Sequence, residues 1–431
     1  MNYEDTILKI KKLENFGVKP GLERIIKLLS MMGNPQDSLE FVHVAGTNGK
    51  GSICFMLESV LREAGYLTGL FISPSIEDFR ERIQVNGDLI SEEDVCKIFA
   101  KIEPYLESPC FFSNPITEFE LTTAMAFEYF RQKGCEIVVL ETGMGGRLDA
   151  TNAIKNTLCS VITTISLDHT HFLGDTINKI ALEKFAIIKN NSKAVIGANQ
   201  NEEVSQAFIK VCKDKNTIYQ IAYLDEVKNF NSEISKGSTF EYLGAKMQTP
   251  LLGVHQKHNI SIVFSVLKLL KDKFSVSISN IASGLKKVRI PCRMEVVSRN
   301  PLIILDASHN PESVCALKDF INQNLKSRNL TAIFCMFKDK DVQEVCKIIG
   351  KSFSKIMIVR SESCRAMERE ELEEIMSHYN KNTLKTQLYS PEIKKEILDL
   401  SEKDGIIVFG SFSIMKEIKK MIKFYLTEFS A

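Results

Sequence analysis

The sequence predicts an α/β protein built on parallel sheets in two successive units, and three observations carry that expectation. A short apolar run, Phe41-Val42-His43-Val44, enters a glycine-rich turn and leaves it in a stretch with apolar residues at helical spacing, Ile53 to Leu61. Glu136-Ile137-Val138-Val139-Leu140 is almost uninterruptedly apolar, as a parallel strand covered on both faces must be. Four further runs, Leu302–Leu305, Ala332–Met336, Ile356–Val359 and Ile406–Phe409, alternate with helical patterns, which implies right-handed βαβ crossovers. At 431 residues the chain is long for one core. A linker is expected near residues 297 to 301, dividing the chain into 1–296 and 297–431.

Composition narrows the function classes. Lys plus Arg (55) nearly cancels Asp plus Glu (54), so no global field points to nucleic acid or a membrane surface. Eleven cysteines, an odd number with no Cys-x-x-Cys pair, argue against a disulfide framework and a structural zinc site. The acidic start Met1–Asp5 has no leader-like apolar stretch, and no run has the length of a spanning helix, so the expected location is the cytoplasm.

In chain order, residues 1 to 40 read as helices broken at Gly17, Pro20-Gly21 and Gly33-Asn34-Pro35. The turn Gly46-Thr47-Asn48-Gly49-Lys50-Gly51-Ser52 then suits a polyphosphate. Its glycines let the backbone approach closely, and the first N–H groups of the following helix have no intrahelical partner. Lys50 would reach the β/γ-phosphates and the Ser52 hydroxyl a Mg²⁺ ion. The spacing is unusual: Gly46 and Gly49 enclose only Thr47-Asn48, and Gly51 separates Lys50 from Ser52.

Leu67–Phe71 reads as a strand stopped by Pro74, which leaves Ser73 at a carboxyl-terminal strand end, where ligands gather in an open α/β sheet. Arg80 to Gly87 reads as a charged strand turning at Asn86-Gly87, its arginines either a solvated face or a clamp on a carboxylate. Thr117 and Glu120 stand in capping-box spacing at a helix start. The run through Leu140 delivers Glu141 into the turn Gly143 to Asn152, and a carboxylate at the end of a buried strand calls for a counter-charge such as Mg²⁺. Cys159 to Leu167 reads as the next strand, ending in Asp168-His169-Thr170-His171. In the helix Ile177 to Ile188, Lys184 sits among apolar residues, where periodicity alone predicts a side chain that reaches out to solvent. Residues 190 to 250 are mixed, with hairpins and loops expected near 212 to 240, and a helix starts near Gly253.

Several stretches resemble, in order, the dihydrofolate synthase and folylpolyglutamate synthase family of ATP-dependent amide ligases, relatives of the cell-wall Mur ligases. They include Ala45 to Ser52 with its spacing, Phe71-Ile72-Ser73-Pro74, Thr117 to Thr122, Val138 to Asn152, Leu167 to Thr170, Glu183-Lys184, Gly253 to Asn259, Pro291 to Glu295, Asp306 to Pro311 and Gly410-Ser411. The resemblance implies a P-loop-type parallel-sheet ATPase domain followed by a smaller Rossmann-like α/β domain, with nucleotide bridging them. It implies ATP contacts from Gly46, Thr47, Asn48, Gly49, Lys50, Gly51, Ser52, Asn259, Arg293, Asp306 and His309. It also implies two Mg²⁺ ions on Ser52, Ser73, Glu141, His169 and Lys184, the last as its carbamate, with Lys50, Glu141, His169 and Lys184 catalytic. Arg82, Thr117, Phe119, Asp149 and Ala150 match positions near the pterin or pteroate. Where the family often has other residues, this chain has Ser75, Cys292 before Arg293, and Asp306-Ala307-Ser308-His309, which bears on loop geometry.

The implied activity is ligation of L-glutamate to dihydropteroate and to folate glutamates through an acyl phosphate, in a monomer with no nucleic-acid or membrane partner. Alternatives are a folylpolyglutamate synthase alone or another Mur-type amide ligase. The latter usually carries a further domain before the phosphate loop, for which about forty residues leave no room. A nucleotide-dependent switch without ligase chemistry would give no reason for Glu141, His169 and Lys184 to meet in space.

Overall fold

The structure, a computed structural model, describes residues 1–428 apart from Val18, His169 and Asn199. The chain divides into two compact units. The first holds Met1–Lys228, Glu241–Met247 and Lys257–Val288, and the second Asn229–Phe240, Gln248–Gln256 and Arg289–Ala431. The sequence reading has a single boundary after 296, whereas the units exchange chain between 228 and 289; an apolar run announces a strand without saying which core it joins.

The sheet of the first unit contains β1 (Phe41–Ala45), β2 (Thr68–Phe71), β3 (Ile83–Val85), β4 (Asp88–Leu89), β5 (Ile137–Glu141), β6 (Thr157–Ile162), β7 (Lys193–Ile196) and β8 (Ile218–Ile221). Their order is β4-β3-β2-β5-β1-β6-β7-β8, parallel from β2 to β8 with β3 and β4 antiparallel at one edge. Every residue of β1 and β5 is buried, which explains their lack of alternation. Register pairs Val44 with Glu141 and Ala45 with Ile162, so the carboxyl ends of β5, β1 and β6 lie side by side.

Helices cover the sheet. The helix Lys50–Glu63 follows the glycine turn and meets Ile278–Lys287, where Gly284 permits close approach: a Cβ there would lie 2.6 Å from Val60 Cα. The helix Glu118–Lys133 opens with the expected capping box between Thr117 and Glu120 and stops at Gly134, φ +72°, in the left-handed conformation that favours glycine. Its Phe127 packs edge-on to Phe41 at 5.5 Å.

Two expected strands are shorter. Phe79–Arg82 is a 3-10 turn, and the strand starts only at Ile83. The Glu81 carboxylate gathers the N–H groups of Ile76, Glu77 and Asp78 at 2.6, 2.9 and 3.0 Å, and Asp78 accepts from Arg80 N at 2.9 Å. Such local side-chain bonds outcompete a ladder. The strand predicted to reach Leu167 ends at Ile162 because the residues after it turn to the glycine loop.

Residues 228 to 249 form β9 (Lys228–Glu233), β10 (Gly237–Tyr242) and β11 (Ala245–Thr249). In the second unit β12 (Glu295–Arg299), β13 (Leu302–Leu305), β14 (Asn329–Phe334), β15 (Lys355–Ile358), β16 (Thr383–Lys385) and β17 (Asp404–Phe409) make a sheet of order β12-β13-β17-β14-β15-β16. All pair in parallel except β12. The four apolar runs supply β13, β14, β15 and β17, so the α/β class and the larger-then-smaller order hold. No helix among the described residues is long and apolar enough to cross a membrane.

Candidate active site

Between β1 and the helix beginning at Lys50, Gly46 and Gly49 adopt φ +154° and +84°. The loop is also walled in. A Cβ on Gly46 would lie 1.7 Å from Thr163 Oγ1, and one on Gly49 would lie 2.5 Å from Asn259 Oδ1. Thr47 N donates to Thr164 O at 2.7 Å, Asn48 N to Thr164 Oγ1 at 3.2 Å, and Thr163 Oγ1 donates to Asn48 O at 2.6 Å. Thr163, Thr164 and Ser166, which bonds Thr47 Oγ1 through its own N–H at 3.1 Å, are the holders that sequence reasoning missed. Their one signal is a run of hydroxyl residues at the end of an apolar strand. The N–H groups of the first helical turn lack i−4 partners by construction, so the clamped loop presents an anion site.

Two lysines converge on one carbonyl of this loop. Lys50 Nζ donates to Gly46 O at 3.2 Å, and Lys184 Nζ, from the helix Ile177–Phe185, donates to the same oxygen at 2.8 Å. Lys184 is 4% exposed, so the solvent-reaching side chain read from periodicity is corrected: neighbouring elements cover that helix face. Burial first, and then the charge of Lys50, lower its pKa to about 7, with Asp168 and Asp149 opposing. The helix is held there by the loop after β5. Arg147 N donates to Glu183 O at 2.9 Å, and Gly146 sits so close that a Cβ would lie 2.6 Å from that carbonyl.

Glu141 is 5% exposed at the end of β5 and accepts from Ser73 N at 3.1 Å. Its Oε2 lies 3.6 Å from where a Cβ of Gly51 would stand, next to the buried Ser52. Ser52, Ser73 and Glu141 therefore offer hydroxyl and carboxylate oxygens, a donor set that fits a hard cation such as Mg²⁺. Among the described residues no group of three His, Cys, Asp or Glu side chains gathers as a metal site. His169 lies outside the described residues, and with it the expectation that it joins Lys184.

The remaining first-unit candidates lie at the start of the helix Glu118–Lys133 and in the turn after β5. Phe119 lies over Gly143, where a Cβ would stand 2.6 Å from its Cζ, and its ring is 5.9 Å from that of Phe71. Arg82 pairs with Glu118 at 2.5 Å, while its Nε is buried without a hydrogen bond among the described residues. Thr117 caps the helix, and its partner Glu120 is gripped by buried Arg24 at 3.0 Å, a pair the sequence did not announce. Asp149 accepts from Met144 N at 2.8 Å, Thr151 N at 3.0 Å and Thr151 Oγ1 at 2.5 Å. Burial raises its pKa, and these bonds oppose the rise. Ala150 is buried in the core cluster with Phe127.

In the second unit the Arg293 guanidinium lies 4.8 Å over the Phe412 ring, and the His309 ring is 6.4 Å from it. Asp306 accepts from Met294 N at 2.8 Å and Ser308 N at 3.0 Å, so its carboxylate ties these two stretches together. Cys292 takes φ +54°, the conformation a glycine would adopt without a Cβ penalty.

Residues 44–267 match the Mur ligase middle domain family, and residues 292–412 match the Mur ligase glutamate ligase domain family. The dihydrofolate synthase/folylpolyglutamate synthase of Bacillus subtilis is 33% identical over 436 residues, covering 98% of this chain and 99% of that protein. The folylpolyglutamate synthase of Mycobacterium tuberculosis, solved with ADP and AMPPCP, superposes with a TM-score of 0.88 at 27% identity over 98% of this chain and 99% of that one. The Escherichia coli FolC structure in complex with DHPP and ADP gives a TM-score of 0.83 at 28% identity over 97% of each chain.

Proposed function

The chain belongs to the dihydrofolate synthase/folylpolyglutamate synthase family of Mur ligases, and from that premise we propose how its residues divide the work. It is an ATP-dependent amide ligase that joins L-glutamate to dihydropteroate and to folate glutamates. The observation that carries the residue roles is the convergence of Lys50, Lys184 and Glu141 on the glycine loop at the carboxyl ends of β1 and β5.

ATP lies with its phosphates along Gly46 to Ser52, its charge met by the free N–H groups of the helix start and by Lys50. Asn259 braces Gly49 from behind, and Arg293, Asp306 and His309 are the second unit's residues proposed to contact nucleotide. The substrate carboxylate attacks the γ-phosphorus, ADP leaves, and the amine of L-glutamate then displaces phosphate from the acyl phosphate. Phosphoryl transfer of this kind depends on position and electrostatics, which suits a site of fixed donors and charges. Ser52, Ser73 and Glu141 would hold one Mg²⁺ ion, and His169 and Lys184 a second; bound there, such ions would supply charge neutralisation on the polyphosphate. A pKa of about 7 leaves much of Lys184 as the neutral amine that takes up CO₂, and its carbamate would offer the oxygen that an ammonium lacks. Phe119 provides a face for the flat pterin ring, and Arg82, Thr117, Asp149 and Ala150 line its place.

The test is ADP release by purified protein with Mg-ATP and L-glutamate, comparing dihydropteroate with tetrahydrofolate. Turnover with both supports the two activities. Turnover with tetrahydrofolate alone leaves a folylpolyglutamate synthase, and turnover with neither refutes the assignment.

A further inference from the structure

His43 is the polar residue of β1, fully buried between β5 and β6, opposite Leu140 and Ser160. Its Nε2 lies 2.8 Å from Thr151 Oγ1, while its Nδ1 is buried with no hydrogen bond among the described residues. An apolar side chain would fill this place without stranding a nitrogen, so what the imidazole adds to the core is the bond to Thr151.

The direction of that bond follows from its neighbours. Thr151 has one hydroxyl proton, and Oγ1 gives it to Asp149 Oδ1 at 2.5 Å. The oxygen is then an acceptor toward His43, so Nε2 carries the imidazole proton and Nδ1 is the bare lone pair. Burial, together with the positive charge of Lys189, keeps the ring neutral, which is consistent with a single N–H. Asp149 passes the constraint on. Its carboxylate holds the N–H of Met144 at 2.8 Å, next to Gly143, on which the Phe119 ring lies. A chain of bonds thus runs from the strand that feeds the phosphate loop to the aromatic floor on the other side of the turn.

We propose that His43 is a positioning residue: through Thr151 it orients the Asp149 carboxylate and so sets the Gly143–Met144 backbone under Phe119, where the pterin is bound. The proposal rests on the ligase reading for its kinetic consequence and not for its structural one, and the two are tested separately.

The kinetic arm measures KM for dihydropteroate and for ATP. Losing one buried bond to a charged network is worth about a tenfold change, so His43→Leu and Thr151→Val are each expected to raise KM for dihydropteroate about tenfold. KM for ATP and kcat stay within about threefold, because the phosphate loop keeps its own holders. His43→Gln, whose amide N–H can reach Thr151, restores KM to within about threefold of the wild type. The double variant His43→Leu/Thr151→Val is no worse than either single, as members of one chain are not additive.

The structural arm is amide hydrogen exchange at Met144, which needs no substrate. His43→Leu and Thr151→Val speed it at least about tenfold and His43→Gln does not. Unchanged Met144 protection in the Thr151→Val protein overturns the proposal, as does a Gln variant that behaves like Leu. If His43→Leu does not fold, Thr151→Val and His43→Gln still decide. A wild type inactive with every folate, together with the expected exchange pattern, would refute the ligase reading and leave the bond chain standing.

Discussion

Lys184→Met separates the electrostatic cost of the buried lysine from its function. The folded chain holds the lysine proton with a pKa of about 7 against 10.5 for the free side chain. The folded state therefore binds the proton less tightly than the unfolded state. The penalty is full below pH 7, shrinks as pH rises from 7, and vanishes above 10.5. At 1.36 kcal/mol per unit, the full penalty is about 5 kcal/mol and the part relieved between pH 6 and pH 9 is about 3 kcal/mol. Methionine has no such term, so the stability gained by Lys184→Met over the wild type is expected to be about 3 kcal/mol larger at pH 6 than at pH 9. Urea unfolding of both proteins at the two pH values, in nucleotide-free and bicarbonate-free buffer, reads this difference while other titrating groups cancel. The same variant should lose ligase turnover by at least about a hundredfold, a stabilised and disabled enzyme. A stability gap that does not change with pH would refute the reasoning, since Lys184 would then titrate like an exposed lysine and its neutral amine would not be populated near pH 7.

Gly46→Ala has no room beside Thr163 and should abolish measurable ATP binding by calorimetry; wild-type affinity would mean that the loop is not the phosphate cradle. Glu141→Gln can still accept the Ser73 N–H, so its melting temperature should stay near that of the wild type while kcat falls by about a hundredfold or more. An active Gln variant would remove the carboxylate from the metal site. Arg24→Met leaves Glu120 buried without its cation and should destabilise the chain by about 3 kcal/mol in urea, with a rise in KM for dihydropteroate as the Thr117 cap loosens. An unchanged urea midpoint would show that the cap alone carries Glu120.

Legibility varied with range. The glycine loop, the Thr117–Glu120 capping box and the buried β5 could be read because each is decided by residues a few positions apart. The turn at Phe79–Arg82 was misread because Glu81 draws in the N–H groups of the residues preceding it, which an alternation pattern does not register. Periodicity fails most at Lys184, whose side chain is buried instead of reaching solvent. Nothing within a helical turn of it reports that Gly146 packs against its backbone or that the Gly46 carbonyl receives its side chain. A linker-like stretch likewise suggests one boundary, while residues 229–240 and 248–256 join the second unit and residues 241–247 the first.

By itself the sequence determined which segments become strands and helices, where a backbone without Cβ atoms could receive phosphate, and, through the order of its motifs, the family. Those properties depend on local sterics, capping and apolar period, all written in neighbouring residues. Tertiary structure alone decided that Lys50 and Lys184 share one carbonyl, that Glu141 faces Gly51 and Ser73, and that His43 reaches Asp149 through Thr151. The reason is that a buried charge takes its protonation and its partner from whatever the fold brings within a few ångströms, and in a parallel sheet those neighbours come from strands far apart in sequence.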